Sequence, residues 1–177
     1  MRAVCYCTDC QAYAHLLGQP QHVLDALGGT DIVATQSSNV RFTAGTPQLA
    51  CLSLSPRGLL RWYAKCCDTP IANTPRDWKM PYAGMVHTVL ERPDPVERSF
   101  PPVQMHVNGK SAHGKPPGGW PVRATLKFGT MMLRFLAARL RGGYRVTPFF
   151  DAHGVPVVPV QVAPRDAVDA ARRQAAR

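Results

Sequence analysis

Cys5, Cys7 and Cys10 place three thiols within six residues, so one short segment can offer three sulfur ligands to a single partner. A divalent ion such as Zn2+ takes thiolates at ~2.3 Å in a tetrahedral shell, and three of them leave one corner for a visitor. A substrate thiol entering that corner would be held as thiolate at neutral pH. A thiolate can add to an aldehyde carbon, or leave one in reverse. Two other readings compete. A fourth protein ligand, Cys51, Cys66, Cys67 or His15, would close the shell and make the ion structural. Cys7-Thr8-Asp9-Cys10, with Thr69-Pro70 downstream, is also the pattern of a thioredoxin-like dithiol, although that fold needs a strand ahead of the pair and the chain before Cys7 is short for one.

The other candidates read more plainly. Cys51 lies among Leu49, Leu52 and Leu54 on an alternating segment, the setting of a small buried hydrophobe. Cys66 and Cys67 are adjacent, so on a strand their side chains point to opposite faces and one of them joins any given site. His15, His22, His87, His106, His113 and His153 show no paired metal spacing. Arg61 and Lys65 read as solvated cations ahead of a carboxylate-binding pair, and Trp62 and Tyr63 as core. No general acid or base is evident from spacing.

The elements that must position the trio follow from pattern. Residues 1–4 read as a strand leading into the cysteines. Thr8 or Asp9 caps a helix through Leu17 that stops at Gly18, which puts Cys10 in the first turn, where the positive helix end favours thiolate. A helical turn follows around Val23–Leu27. Segments 32–35, 40–42, 49–54 and 59–63 alternate as strands of an antiparallel meander, with residues 85–90 and 103–107 as further strands. Loops fill 72–84, and proline and glycine dominate 91–121. Residues 123–141 form the strongest helix, apolar over most of its circumference with Lys127, Arg134 and Arg141 in a narrow stripe. Such a helix can lie on an anionic membrane or against nucleic acid, but the stripe is too narrow for a nucleic-acid platform, and packing on the body or on a second subunit, as a homodimer, is the preferred expectation. Residues 164–177 read as a frayed helix.

With 177 residues and 45% hydrophobic content, the chain can bury one ordinary core. The expected class is mainly β with appended helices: a zinc-binding domain over 1–110 and a basic extension over 111–177 packed on it. Residues 1–97 carry 8 Lys+Arg against 8 Asp+Glu, whereas residues 98–177 carry 13 against 3, so the whole +10 belongs to the second half. Such a field attracts anions. No apolar run of about 18 residues and no basic-then-apolar leader occurs, which predicts a cytoplasmic protein with no membrane span and with reduced thiols.

Cys5-Tyr6-Cys7-Thr8-Asp9-Cys10-Gln11, followed some 56 residues on by Cys67-Asp68-Thr69-Pro70-Ile71, resembles the glutathione-dependent formaldehyde-activating enzyme and centromere protein V family over roughly residues 3–110. The resemblance implies a β-tent of small coiled antiparallel sheets and carbon–sulfur lyase chemistry on an adduct of glutathione with an aldehyde. It makes Cys5, Cys7 and Cys10 the ligands of a catalytic zinc, and His106 part of a strand flanking the site. The family's second, structural zinc uses an upstream Cys-x-Cys and a downstream Cys-x-x-Cys-Gly. Here Cys67 fits the second downstream position, Ala64 stands in the first, Asp68 replaces the glycine, and no cysteine pair precedes Cys5. Either the chain is N-terminally shortened, the preferred expectation, or this branch has lost that site; an in-frame Cys-x-Cys upstream of Met1 would decide. The runner-up function is a non-catalytic, zinc-stabilised binding module.

Overall fold

The computed structural model describes residues 1–90, 96–118 and 122–176. Among them run β1 (Arg2–Cys5), α1 (Thr8–Leu16), α2 (Pro20–Val23), β2 (Thr30–Gln36), β3 (Leu49–Ser53), β4 (Leu60–Ala64), β5 (Thr69–Thr74), β6 (Tyr82–Val86), α3 (Val96–Ser99), β7 (Met105–Val107), α4 (Val122–Leu140), β8 (Val160–Val162) and α5 (Arg165–Ala175). The strands form one mixed sheet in the order β7-β1-β2-β6-β5-β4-β3-β8. The inner pairs are antiparallel, and the two outermost strands run parallel to their neighbours, β7 to β1 and β8 to β3. The chain is mainly β with appended helices, as its alternation and punctuation imply.

β4 is buried on both faces, which decides the rest of the fold. Leu60 and Trp62 point one way into a cluster with Cys51, Met85, Phe149 and Phe150. The Trp62 indole lies 5.1 Å from the Phe149 ring and donates its N–H to the Thr74 hydroxyl at 2.9 Å, so its one polar atom is satisfied in the core. Arg61, between them, points the other way, toward α1. Cys51 is 1% exposed and pairs with Trp62 across β3–β4, the place of a small hydrophobe.

Several expectations change. Residues 40–42 form no strand and follow a 3-10 turn over Ser37–Asn39. Loop was expected beyond Ile71, yet β5 runs through it. Pro70 can sit inside a strand because the register shifts between Trp62 and Tyr63, and a bulge accepts a residue with no N–H to donate. The turn between β4 and β5 holds Asp68 at φ 53, the left-handed conformation that Asp tolerates where glycine is usual. The C-terminal tail is a docked helix rather than a frayed one: Val168 and Ala171 of α5 pack with Ala12 of α1, Leu54 and Ala163. Its alanines are small enough to bring α5 against α1. β8 also joins the sheet, so residues beyond 110 are part of the same body. Residues 91–95 and 119–121 of the proline- and glycine-dominated span lie outside the described residues.

α4 spans nearly the expected residues, but its apolar surface is not buried. Ala124 and Phe135 face the body, where Phe135 meets the Tyr82 ring edge-on at 5.8 Å. Leu126, Leu133, Leu136 and Leu140 are 52–79% exposed. No helix of the described residues is long and apolar enough to cross a membrane.

Candidate metal centre

The three thiols converge because a strand ends where a helix begins. β1 lies between β2 and β7 and delivers Cys5 at its last residue. Tyr6 then turns inward, 1% exposed, and its N–H donates to Val107 O on β7 at 3.0 Å. Cys7 adopts φ −64, ψ 145 and is itself the N-cap of α1. Its Sγ accepts the Cys10 N–H at 3.3 Å, so sulfur takes the role expected of the Thr8 or Asp9 oxygen. Gln11, buried behind the cluster, donates to Tyr6 O and Ser111 O at 2.9 Å each and ties the β1–α1 corner to the segment after β7.

The three Sγ atoms lie within 4.8 Å of one another, with Cys5 and Cys10 at 3.9 Å. Tetrahedral Zn–S bonds of ~2.3 Å require sulfurs roughly 3.8 Å apart, so the donor set fits a soft divalent ion after a contraction of about 1 Å. Among the described residues, no other Cys, His, Asp or Glu belongs to this group. Cys67 does not join it. It stands exposed at the β4–β5 hairpin, its Sγ 3.6 Å from Cys66 and 3.1 Å from the Thr69 hydroxyl. His15 lies at the far end of α1, and Cys51 is in the core on the other side of the sheet. His106 stacks on Tyr6, its Nδ1 3.2 Å from the Tyr6 hydroxyl, and stays outside the sulfur cluster although its strand flanks it.

The surroundings contain three residues that sequence pattern did not single out for this site, or assigned differently. Asn108, left-handed at φ 58 just after β7, donates its amide to Cys5 Sγ at 3.4 Å. Its signal was the Asn-Gly pair that ends a strand. Arg61 is 3% exposed, not a solvated cation. Its Nη1 reaches Cys10 Sγ at 3.8 Å and Asn73 Oδ1 at 3.3 Å, and the guanidinium stacks 5.1 Å from the Tyr13 ring. Among the described residues no carboxylate pairs with it. Tyr82, on β6, lines the same space. Gly84 makes that possible, since a Cβ there would run into the Tyr82 hydroxyl. Lys65 is exposed on the hairpin.

A cavity of about 320 Å³ opens over the sulfurs. Ile32, Leu54, Leu59 and Val107 form apolar wall, and Arg61, Asn73 and Tyr82 bring polar groups. At its rim Arg172 of α5 binds Asp9 at 2.8 Å, so the docked tail helix completes the wall. Without a metal the trio cannot hold three negative charges. Hydrogen bonds from the Cys10 and Cys7 thiols, with help from Asn108, hold the Cys5 thiol far below the ordinary range. The same sulfurs, together with burial, push Cys10 well above it, with the Arg61 charge pulling the other way. The helix end alone would have lowered Cys10; the sulfur neighbours outweigh it.

A labelling order follows. Cys67 is also lowered, by the Thr69 hydroxyl, while burial pushes Cys51 up to about 12. A depressed pKa means thiolate persists at acidic pH, so iodoacetamide at about pH 6 should label Cys5 and Cys67 of metal-free, reduced protein before Cys10 and Cys51. Peptide mass spectrometry reads the order, and early labelling of Cys51 would contradict it.

A family model matches residues 1–161 of this chain, and its description is a family of unknown function, DUF6151. The chain belongs to DUF6151. No curated protein and no solved structure matches it. The matched span of this DUF6151 protein takes in the sulfur trio, Arg61, Tyr82 and Asn108, and ends within β8, short of α5 and its Arg172.

Proposed function

We propose that the protein is a zinc-dependent enzyme of the carbon–sulfur lyase type, acting on the adduct of a small thiol such as glutathione with an aldehyde. The observation carrying this reading is the convergence of Cys5, Cys7 and Cys10 on the floor of a cavity, with no fourth donor gathered beside them among the described residues. Bound zinc would supply a positive centre that keeps an incoming sulfur deprotonated. The reading agrees with the resemblance to the formaldehyde-activating and centromere protein V family. It carries with it a β-tent as the finer description of the fold and the reducing cytoplasm as the compartment.

The chain's own residues set the remaining conditions. A cavity of about 320 Å³ falls within the size of small-molecule sites, and aliphatic side chains form part of its wall beside the sulfurs. When a thiolate adds to an aldehyde, the carbonyl oxygen gains charge and must be met by a donor. Burial, reinforced by the Cys10 and Cys5 charges, pushes Tyr82 up to about 12, so its phenol keeps its proton at neutral pH. That hydroxyl has no hydrogen-bond partner among the described residues and is free to donate to the adduct oxygen. Arg61 supplies positive charge beside Cys10.

Incubating zinc-loaded protein with glutathione and formaldehyde, and following adduct formation and decay by NMR, tests the reading. Rates above those of buffer are expected, and none above buffer sinks it. Tyr82→Phe removes one neutral hydrogen bond, about 1 to 1.5 kcal/mol, so kcat/KM should fall about ten-fold with zinc content unchanged. A metal-stabilised binding module is the second reading, favoured by the position of the trio where β1, α1 and β7 meet. It predicts unfolding on metal removal with no thiol exchange at the metal.

A further inference from the structure

α4 leaves uncovered what a soluble helix normally buries. Leu126, Leu133 and Leu140 are 68%, 68% and 79% exposed, and Leu136 is 52% exposed. At 100° per residue they fall within an arc of about 80°, opposite Ala124 and Phe135, which hold the helix to the body. Lys127, Arg134 and Arg141, all exposed, run along one edge of that arc at seven-residue spacing. From residue 98 to residue 150 the chain contains nine Lys and Arg and no Asp or Glu. Val146, in the turn after the helix, is also 64% exposed.

Charge decides between occupants. A second copy would bring two like-charged helices together with no acidic residue between 98 and 150 to neutralise them. A polynucleotide would use the cations but leave four leucines in water. An anionic lipid surface uses both: the aliphatic side chains enter the boundary between headgroups and acyl chains, and the cations meet phosphates. We propose that α4 is an interfacial helix that seats the protein on an anionic membrane surface, leucines inward and Lys127, Arg134 and Arg141 on the headgroups.

Co-sedimentation of the full chain with vesicles tests this. Binding is expected to vesicles of phosphatidylcholine with phosphatidylglycerol, to weaken with salt, and to be slight for phosphatidylcholine alone. Leu126→Gln/Leu133→Gln/Leu140→Gln should abolish it while the circular dichroism melt stays in place. Arg134→Gln/Arg141→Gln, at exposed positions that leave the apolar stripe intact, should weaken it about five-fold per cation. The idea is overturned by equal binding to neutral and anionic vesicles, or by anionic binding that either variant leaves unchanged. Light scattering that shows a dimer abolished by the leucine variant, with no vesicle binding, would overturn it in favour of a second copy.

Discussion

Cys10→Ser is expected to strip the protein of its metal. Structural zinc binding amounts to roughly 10–16 kcal/mol, so one of a few thiolates accounts for about 3 kcal/mol, a loss in affinity on the order of 100-fold or more. The site has no spare donor to compensate, since among the described residues the group consists of Cys5, Cys7 and Cys10 alone. After dialysis against a weak chelator the variant should retain almost no metal, and any thiol–aldehyde activity should vanish with it. Serine nearly matches cysteine in shape, so the metal-free variant should fold as the metal-free parent does, by circular dichroism. Cys51→Ser is the control: it lies in the hydrophobic core across the sheet and should lower stability without touching metal content.

Arg61→Met should weaken metal binding chiefly through loss of charge. A divalent ion on three thiolates has a net charge of −1, and the buried guanidinium 3.8 Å from the buried Cys10 Sγ offsets it. Removing one partner of a buried pair is strongly destabilising, about 3 kcal/mol or more, so affinity should drop about 100-fold. The metal-free state should respond in the opposite sense. With the Cys10 thiol beside it protonated, Arg61 is a buried cation without a carboxylate, and a methionine of similar length replaces it at little loss or a small gain. Arg61→Lys keeps the charge but not the planar stack on Tyr13, and should fall between. Competition with a chromophoric chelator measures the affinities. Affinity unchanged in Arg61→Met would show that the guanidinium does not act as counter-charge.

Much of this site was legible because its ligands are local. Three thiols within six residues, followed by a helix that Gly18 and Pro20 stop, constrain one another whatever the remainder of the chain does. The strand character of β2, β3 and β4 was readable for the same reason, from alternation between turn residues. What escaped was non-local. Arg61 looks solvated in a sequence because burial on both faces of β4 depends on α1 covering one of them. Tyr82 and Asn108 carry no spacing to the cysteines and reach them only through sheet order, β6 beside β2 and β7 beside β1. β5 was hidden by Pro70, whose tolerance depends on a bulge in the pairing with β4. α5, rich in alanine and arginine, reads as a frayed helix in the sequence, yet a strip of Val168, Ala171 and Ala175 is enough to dock it against another alanine-bearing helix. α4 shows the opposite failure: its composition implied burial, and the fold leaves its leucines in the open.

The most direct measurement is elemental analysis of pure, reduced protein for bound metal, with Cys7→Ser in parallel. One zinc per chain in the parent and close to none in the variant is the predicted result. A parent free of metal even after reconstitution with zinc, or a Cys7→Ser variant that keeps a full equivalent, would contradict it.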